Sequence, residues 1–282
     1  MTPRQRRIQL TRLTRADIQH IPSTIREYDR ALQKKTGCRL TEIAKDAARI
    51  EGDIEEILMN TKAAIVPVTA GRGVIEGFSE AVAAILSHMG INALITESAD
   101  IAGITEAFEW NADLIFAADD NEFVAMNLAT KRVSRNAAAT ARVYVAALDR
   151  LARGLRAKPV LVIGIGNVGS EAVASLIAGG ARPLVVDIDR NKVVSLNRKY
   201  RGRVRIFETV TEALRYTNLI IDAAPARNII RADMVTEDTV ISAPSVPLGL
   251  TRAALRRINP QYLIHDPLQL GVAAMAVDAC AT

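Results

Sequence analysis

A glycine-rich turn between two apolar runs constrains this chain more than any other feature. Residues 160–163 form a β-branched apolar run, as in a buried strand. Three glycines follow with the spacing Gly-x-Gly-x-x-Gly, which permits a tight turn into a helix whose free N–H groups can bind a pyrophosphate. The residues of this turn that we predict to bind a dinucleotide are Gly164, Gly166, Asn167, Val168 and Gly169.

The acid that ends the second apolar run indicates which dinucleotide binds. Asp187 closes the run 183–186 about 20 residues beyond the glycines, where such a unit carries the carboxylate that binds the adenosine ribose hydroxyls. A carboxylate there also repels a 2′-phosphate, so Asp187 favours NAD over NADP. Arg190, which follows closely, is the one neighbouring residue that favours NADP, because it could bind the 2′-phosphate.

The length of the chain allows two domains. Its 282 residues exceed the ~100–200 residues of a typical domain, and its hydrophobic fraction of 49% is that of an ordinary globular protein. We expect a basic extension at 1–12, a substrate-binding α/β domain with a bridging helix at 13–154, and an NAD-binding Rossmann domain with a C-terminal helix at 155–282. The predicted fold class is α/β, with a C-terminal doubly wound sheet and a smaller N-terminal α/β domain that has a helical lead-in.

Charge and cysteine content narrow the function classes. The net charge of +5 is concentrated in arginines that precede Asp17, and no zinc-finger spacing or stacking motif accompanies them, so no nucleic-acid partner is expected. This leader lacks the serines usual in a mitochondrial transit peptide, and we interpret it as solvated or subunit-contacting. Two cysteines and the lack of a membrane-spanning apolar run indicate a cytoplasmic protein with no membrane partner.

The hydrophobic pattern alternates between strands and helices. Thr14 and Asp17 resemble a capping box at the start of a helical lead-in that extends to about Asn60. The N-terminal pattern then predicts strands at 63–69, 93–96 and 113–118, helices at 74–89 and 101–110, a loop, and an Ala-rich bridging helix at 136–153. The strands predicted for the nucleotide domain are 160–163, 183–187, 204–207, 218–222, 239–242 and 262–265.

Ligands of such sheets bind outside the carboxyl ends of the strands, so the residues that follow each strand are candidates. On the N-terminal side the adjacent acids Asp119 and Asp120 suit a cationic ligand, and because no His or Cys lies near them, a metal is not expected. His265, at another strand end, could reach the cofactor. The small residues predicted to let the backbone approach the nicotinamide ribose are Ala224, Pro225 and Pro244.

Three further segments resemble the pyrrolysine synthase family. They are 65–80, 118–123 and 267–275, and the resemblance covers most of the chain from about Leu13. It implies NAD-dependent oxidation of the terminal amine of a dipeptide-like small molecule, 3-methyl-D-ornithyl-Nε-lysine. Loss of ammonia and cyclisation to the pyrroline ring of pyrrolysine would follow.

The resemblance also implies which residues contact the substrate. Asp119 can accept hydrogen bonds from an ammonium group, Asn136 can pair with a carboxylate or amine, and Phe78 can cover the aliphatic chain. Two positions depart from the family pattern, since Ala70 stands where the family can carry Ser, and Asp266 where it can carry Glu. The implied substrate contacts are Leu13, Ala70, Phe78, Ala118, Asp119 and Asn136, and the implied catalytic residues are Asp119 and Asp266.

Two other functions fit the same features. An opine-like or shikimate-type dehydrogenase shares the two-domain plan, but no lysine follows a strand of the N-terminal domain, from where it would polarise a substrate. A non-catalytic NAD-sensing protein would instead use the Arg-rich leader to contact nucleic acid. The sequence leaves the oligomeric state open, with a homodimer among the options.

Overall fold

The computed structural model describes residues 13–281, so the predicted basic extension 1–12 lies outside the described residues. Within that range the strands form two sheets, and no helix is long and apolar enough to cross a membrane. The strands are β1 (Lys62–Val66), β2 (Asn92–Ile95), β3 (Leu114–Ala118), β4 (Phe123–Asn127), β5 (Val133–Arg135), β6 (Pro159–Ile163), β7 (Arg182–Val186), β8 (Arg205–Ile206), β9 (Leu219–Asp222), β10 (Val240–Ala243) and β11 (Leu263–His265).

The α-helices of the same range include the predicted lead-in. The capping box predicted at its start is confirmed, because the Asp17 carboxylate accepts the Thr14 N–H at 2.8 Å. The helices are α1 (Arg15–Ile18), α2 (Ile21–Thr36), α3 (Leu40–Ala48), α4 (Glu55–Met59), α5 (Phe78–His88), α6 (Asp100–Glu109), α7 (Asn136–Leu151), α8 (Asn167–Ala178), α9 (Arg190–Lys199), α10 (Val210–Ala213), α11 (Arg252–Arg257) and α12 (Gln269–Cys280).

The six-stranded sheet has the order β11-β10-β9-β6-β7-β8, and every strand pair in it is parallel. Its strands lie where the hydrophobic pattern predicts them, and this order confirms the predicted doubly wound fold. The direction of winding reverses between β6 and β9, so a crevice opens at their carboxyl ends. The glycine turn follows β6 and therefore lies at this crevice.

The five-stranded sheet has the order β2-β1-β3-β4-β5. Strands β1, β2 and β3 are parallel, whereas β4 runs antiparallel to β3 and β5 antiparallel to β4. The prediction of a loop between β3 and the bridging helix is wrong, because β4 and β5 form a hairpin in that segment. These strands are short, lie at the sheet edge and carry polar residues such as Asn127 and Arg135, so their apolar alternation is weak.

The helix that follows β1 begins later than the sequence predicts. Its periodic pattern starts at Val74, but α5 begins at Phe78 because Gly77 adopts a left-handed conformation with φ of 83°. Residues 69–77 therefore form a loop that joins the carboxyl end of β1 to the start of α5. This delay leaves the loop free to line a cleft between the two sheets.

The bridging helix α7 and the C-terminal helix α12 join the two halves. Eleven of the twelve residues of α12 are buried, and the nine apolar side chains among them belong to the hydrophobic core beneath the five-stranded sheet, together with residues of α3, α5 and α7. The sequence assigns α12 to the nucleotide domain, but in the structure its side chains pack in the other half. The domain limits themselves stay a prediction.

Candidate active site

A cleft of about 880 Å³ lies where the carboxyl ends of the two sheets face each other. The N-terminal half contributes the end of β1, the loop 69–77, the start of α5 and the β3–β4 turn. The other half contributes Val168, Pro244 and the segment 266–271. In the described part of the chain, the charged residues that line it are four carboxylates and one guanidinium, namely Asp119, Asp120, Glu122, Asp266 and Arg72.

Two glycines of the turn after β6 differ in the space that surrounds them. A Cβ on Gly169 would lie 1.8 Å from the carbonyl oxygen of Gly164, so only glycine lets α8 pack this closely against the turn. A Cβ on Gly166 would meet no atom within 4 Å, although Gly166 is the N-cap of α8. Open space before a helix N-terminus is what a bound pyrophosphate requires. The predicted dinucleotide residues therefore fit such a group.

Asp187 follows β7 directly beside this turn. Its Oδ2 accepts the N–H of Ile165, and its Oδ1 accepts the N–H of Asp189 at 2.7 Å. Each carboxylate oxygen retains a second lone pair for a ribose hydroxyl. Arg190, which could bind the 2′-phosphate of NADP, pairs instead with Glu208. The distance between Arg190 Nη1 and Glu208 Oε1 is 3.0 Å.

A buried carboxylate supports the loops that hold Ala224, Pro225 and Pro244. Asp222 is 0% exposed at the end of β9 and accepts the N–H groups of Gly249 at 3.0 Å and Ala224 at 3.3 Å. Burial raises the pKa of Asp222 to about 6, against the lowering effect of these hydrogen bonds. Asp222 thus holds the two loops that flank the nicotinamide end of the predicted cofactor site.

Asp119 lies in the β3–β4 turn at the rim of the cleft. Its Oδ1 accepts the N–H groups of Asn121 at 2.7 Å and Glu122 at 2.8 Å. The N–H of Glu122, and next that of Asn121, lower the pKa of this exposed carboxyl, so it is ionised at neutral pH. Because both bonds use Oδ1, Oδ2 is the oxygen that can accept a hydrogen bond from a ligand.

Asp266 lies deeper and is 4% exposed. Its Oδ2 lies 2.7 Å from the hydroxyl of Tyr28 and 2.9 Å from that of Tyr144, which is also 2.8 Å from the Asp266 carbonyl. Its Oδ1 accepts the N–H groups of Leu268 at 3.1 Å and Leu270 at 3.2 Å. Burial, and then the charge of Asp266, raise the pKa of both tyrosines well above its usual value, so both hydroxyls remain protonated.

The sequence interpretation missed Tyr28 and Tyr144. Both lie on helices, α2 and α7, where an aromatic residue looks like ordinary packing, and nothing local connects either of them to Asp266. His265, considered as a cofactor contact, instead places its Nδ1 2.9 Å from the carbonyl oxygen of Ala243. Since a carbonyl only accepts, this nitrogen carries a proton.

The other predicted substrate residues divide into two groups. Leu13, Phe78, Ala118 and Asn136 all line the cleft. The ring of Phe78 meets that of Phe123 edge-on, with 5.2 Å between centroids. Ala70 lies in the exposed loop 69–77 and is not among the residues that line the cleft.

Comparisons with known proteins agree with this geometry. Residues 17–134 match the family model of the pyrrolysine biosynthesis protein PylD, N-terminal domain, and residues 146–247 match that of shikimate / quinate 5-dehydrogenase. Quinate dehydrogenase from Corynebacterium glutamicum, solved in complex with NAD, is similar in fold, with a TM-score of 0.52 at 13% sequence identity. That similarity covers 78% of this chain and 92% of the other.

The fold and the site together define an α/β protein of the dehydrogenase fold class. Pyrrolysine synthase from Methanosarcina acetivorans is 30% identical over 263 residues, which cover 93% of this chain and 97% of that protein. Pyrrolysine synthase from Methanosarcina barkeri is 29% identical over 95% of this chain and 97% of its own length. The chain belongs to the pyrrolysine synthase family, as its sequence motifs indicate.

Two glycine substitutions should separate cofactor binding from folding. We expect Gly166→Ala to change the free energy of unfolding by less than ~1 kcal/mol, because its methyl group meets open space, and to weaken NADH binding at least ~10-fold by blocking the pyrophosphate. Gly169→Ala should lower the unfolding temperature strongly, because its methyl group meets a backbone carbonyl. Thermal unfolding and NADH fluorescence titration measure both effects, and equal effects of the two variants would contradict this assignment.

The raised pKa of Asp222 predicts a pH-dependent stability. The stabilisation that comes from its protonated form is complete below about pH 4 and is lost as the pH rises through about 6. Over this range the free energy of unfolding of the wild-type protein should fall by on the order of 2–3 kcal/mol relative to that of Asp222→Asn, which cannot ionise. Urea unfolding of both proteins between pH 4 and 7.5 checks this. A difference that stays constant with pH would show that Asp222 titrates normally.

Proposed function

We propose that this protein is an NAD-dependent pyrrolysine synthase that acts on 3-methyl-D-ornithyl-Nε-lysine. The observation that carries the proposal is an acidic cleft that opens beside a dinucleotide-binding turn. Asp119 and Asp266 line this cleft, and Val168 reaches it from the turn itself. A multiply cationic substrate fits this combination, because carboxylates at contact distance can hold its ammonium groups close to a nicotinamide.

The reaction balances as an oxidation followed by ring closure. The terminal ammonium group first releases a proton to solvent, because only the neutral amine can stabilise the loss of a hydride from its carbon. Bound NAD would supply the acceptor for this hydride. The resulting imine takes up water and releases ammonia, which leaves an aldehyde. The substrate's own α-amine then attacks the aldehyde carbon and expels water, which closes the pyrroline ring. Each turnover thus forms one NADH and one ammonium ion.

The two carboxylates have different roles in this proposal. Asp119 accepts a hydrogen bond from a substrate ammonium group through Oδ2, since its other oxygen is engaged in the turn. Asp266 has its oxygens engaged by four donors, so it acts through its charge rather than as a base. A fixed negative charge there stabilises the positive charge that develops as the amine carbon is oxidised.

Positioning accounts for the rest of the proposed mechanism. Phe78 and Leu13 cover the aliphatic part of the substrate, and Asn136 at the start of α7 offers an amide to its polar groups. Oδ1 of Asn136 already accepts the Thr140 hydroxyl at 2.9 Å, which leaves the amide N–H groups as donors. Holding a flexible substrate in one geometry lowers the entropy cost of both steps.

The preference for NAD rests on the charges at the adenosine end. Asp187 would repel a 2′-phosphate, and the one nearby cation that could bind it, Arg190, pairs with Glu208. A shikimate-type reaction has less support, because none of the described residues that line the cleft is a lysine. The small-molecule substrate requires no nucleic acid and no membrane.

Turnover with the complete substrate tests the proposal directly. Purified protein with 3-methyl-D-ornithyl-Nε-lysine and NAD should form NADH and ammonium in equal amounts, together with a product lighter by ammonia and two hydrogens. Absorbance, an ammonium assay and mass spectrometry measure these three quantities. Free ornithine, free lysine and NADP serve as controls that should give far less NADH. A folded sample that binds NAD but forms no NADH would refute the proposed reaction.

A substitution at Asp119 tests its role in substrate binding. Asp119→Asn should lower kcat/KM by roughly 10–100-fold, because an ionic hydrogen bond to an ammonium group becomes a neutral one, while NADH affinity stays unchanged. Asp53→Asn is the matched control, since Asp53 also accepts a backbone N–H in an exposed turn, from Glu55 at 2.8 Å, but lies outside the cleft. Equal kinetics for the two variants would remove Asp119 from the site.

A further inference from the structure

The N-terminus of α5 points unsatisfied donors towards the cleft. Its N-cap, Gly77, has no side chain, and within residues 13–281 no acceptor is bonded to the N–H of Ser79 or Glu80. The first N–H groups of a helix carry partial positive charge, and α5, with eleven residues, is long enough to present its dipole. The start of α5 therefore favours a negative ligand group.

A serine that is almost fully buried lies at the same point. Ser79 is 6% exposed and lines the cleft, and in the described part of the chain its hydroxyl has no hydrogen-bond partner. The hydroxyl oxygen is not one of the fully buried side-chain atoms of the described residues, so it is accessible and can bond a ligand group. This second observation, independent of the helix dipole, also indicates that a polar ligand group binds here.

Among residues 13–281, the one guanidinium that lines the cleft belongs to the loop before α5. Arg72 is exposed, and across residues 13–281 its guanidinium has no ion pair or hydrogen bond. Its backbone is fixed, because the Arg72 N–H donates to Oδ2 of Asp120 at 2.9 Å. A Cβ on Gly71 would lie 2.3 Å from that same oxygen, so the loop can approach Asp120 only with glycine there.

The carboxylates near the start of α5 do not pair with Arg72 or with the first N–H groups of the helix. Glu76, in the same loop, pairs with Arg15, and Glu122, across the cleft, pairs with Arg135. Glu80 is exposed on the helix, while Asp119 and Asp120 are engaged with backbone N–H groups. An amino-acid end carries an ammonium group beside its carboxylate, so nearby acids match such a ligand rather than repel it.

We infer that Arg72, Ser79 and the N-terminus of α5 form a carboxylate-binding subsite of the cleft. The inference rests on the proposed function and extends it, because the substrate has one carboxylate, on its lysine end. The subsite binds this carboxylate, while the oxidised end of the substrate lies towards the nicotinamide. Arg72 and Ser79 thus determine specificity for a ligand that ends in a free carboxylate rather than in an amide.

A pair of ligands that differ only in this group provides the test. Calorimetry with NADH present compares Nε-D-ornithyl-L-lysine with its α-carboxamide. The wild-type protein should bind the carboxylate form about 10–100-fold more tightly, as for a charge-assisted hydrogen bond. Arg72→Ala should reduce this preference to less than about threefold, and Ser79→Ala should reduce it in part. In turnover, Arg72→Ala should raise KM with little change in kcat.

The control variant is Arg203→Ala, which removes an exposed arginine outside the cleft and should keep the full preference. Equal affinity of the wild-type protein for the two ligands, or binding of neither, would overturn the subsite. So would an Arg72→Ala protein that keeps the wild-type ratio. If no turnover is found but the carboxylate preference and its loss in Arg72→Ala are observed, the proposed reaction is wrong and the subsite is supported.

Discussion

The buried carboxylate of Asp266 is the contact on which the arrangement of the two halves depends. A carboxylate excluded from water must have its oxygens satisfied by donors. Here the donors come from three elements, α2 through Tyr28, α7 through Tyr144 and the start of α12. These elements therefore meet at Asp266, which lines the cleft between the sheets.

The cleft and the turn beside it carry groups of both signs. The glycine turn and Asp187 suit the pyrophosphate and ribose of a dinucleotide, and Asp119 and Asp266 in the cleft provide negative charge. At the N-terminal loop, Arg72 and the start of α5 provide positive charge. A ligand that carries both ammonium groups and a carboxylate matches this combination better than a uniformly charged ligand does.

Much of the fold could be predicted because its signals are local. The apolar runs of β6–β11, the spacing of the glycines to Asp187 and the capping box at Thr14 each depend on neighbouring residues, and each is present in the structure. The β4–β5 hairpin escaped prediction because edge strands with polar residues lack a clear alternation. The late start of α5 depends on the left-handed backbone conformation of Gly77. The spacing of apolar residues carries no information about that conformation.

The sequence by itself determined the fold class, the glycine-rich turn after β6 and the family, since these follow from short-range patterns and motifs. Only the tertiary structure decided that α12 packs in the N-terminal core, that Tyr28 and Tyr144 bind Asp266, and that Ser79 and Arg72 line the same cleft. The physical reason is sequence separation. Tyr28 and Asp266 meet across 238 positions of the chain, and a contact of that range arises only when whole helices and sheets have packed.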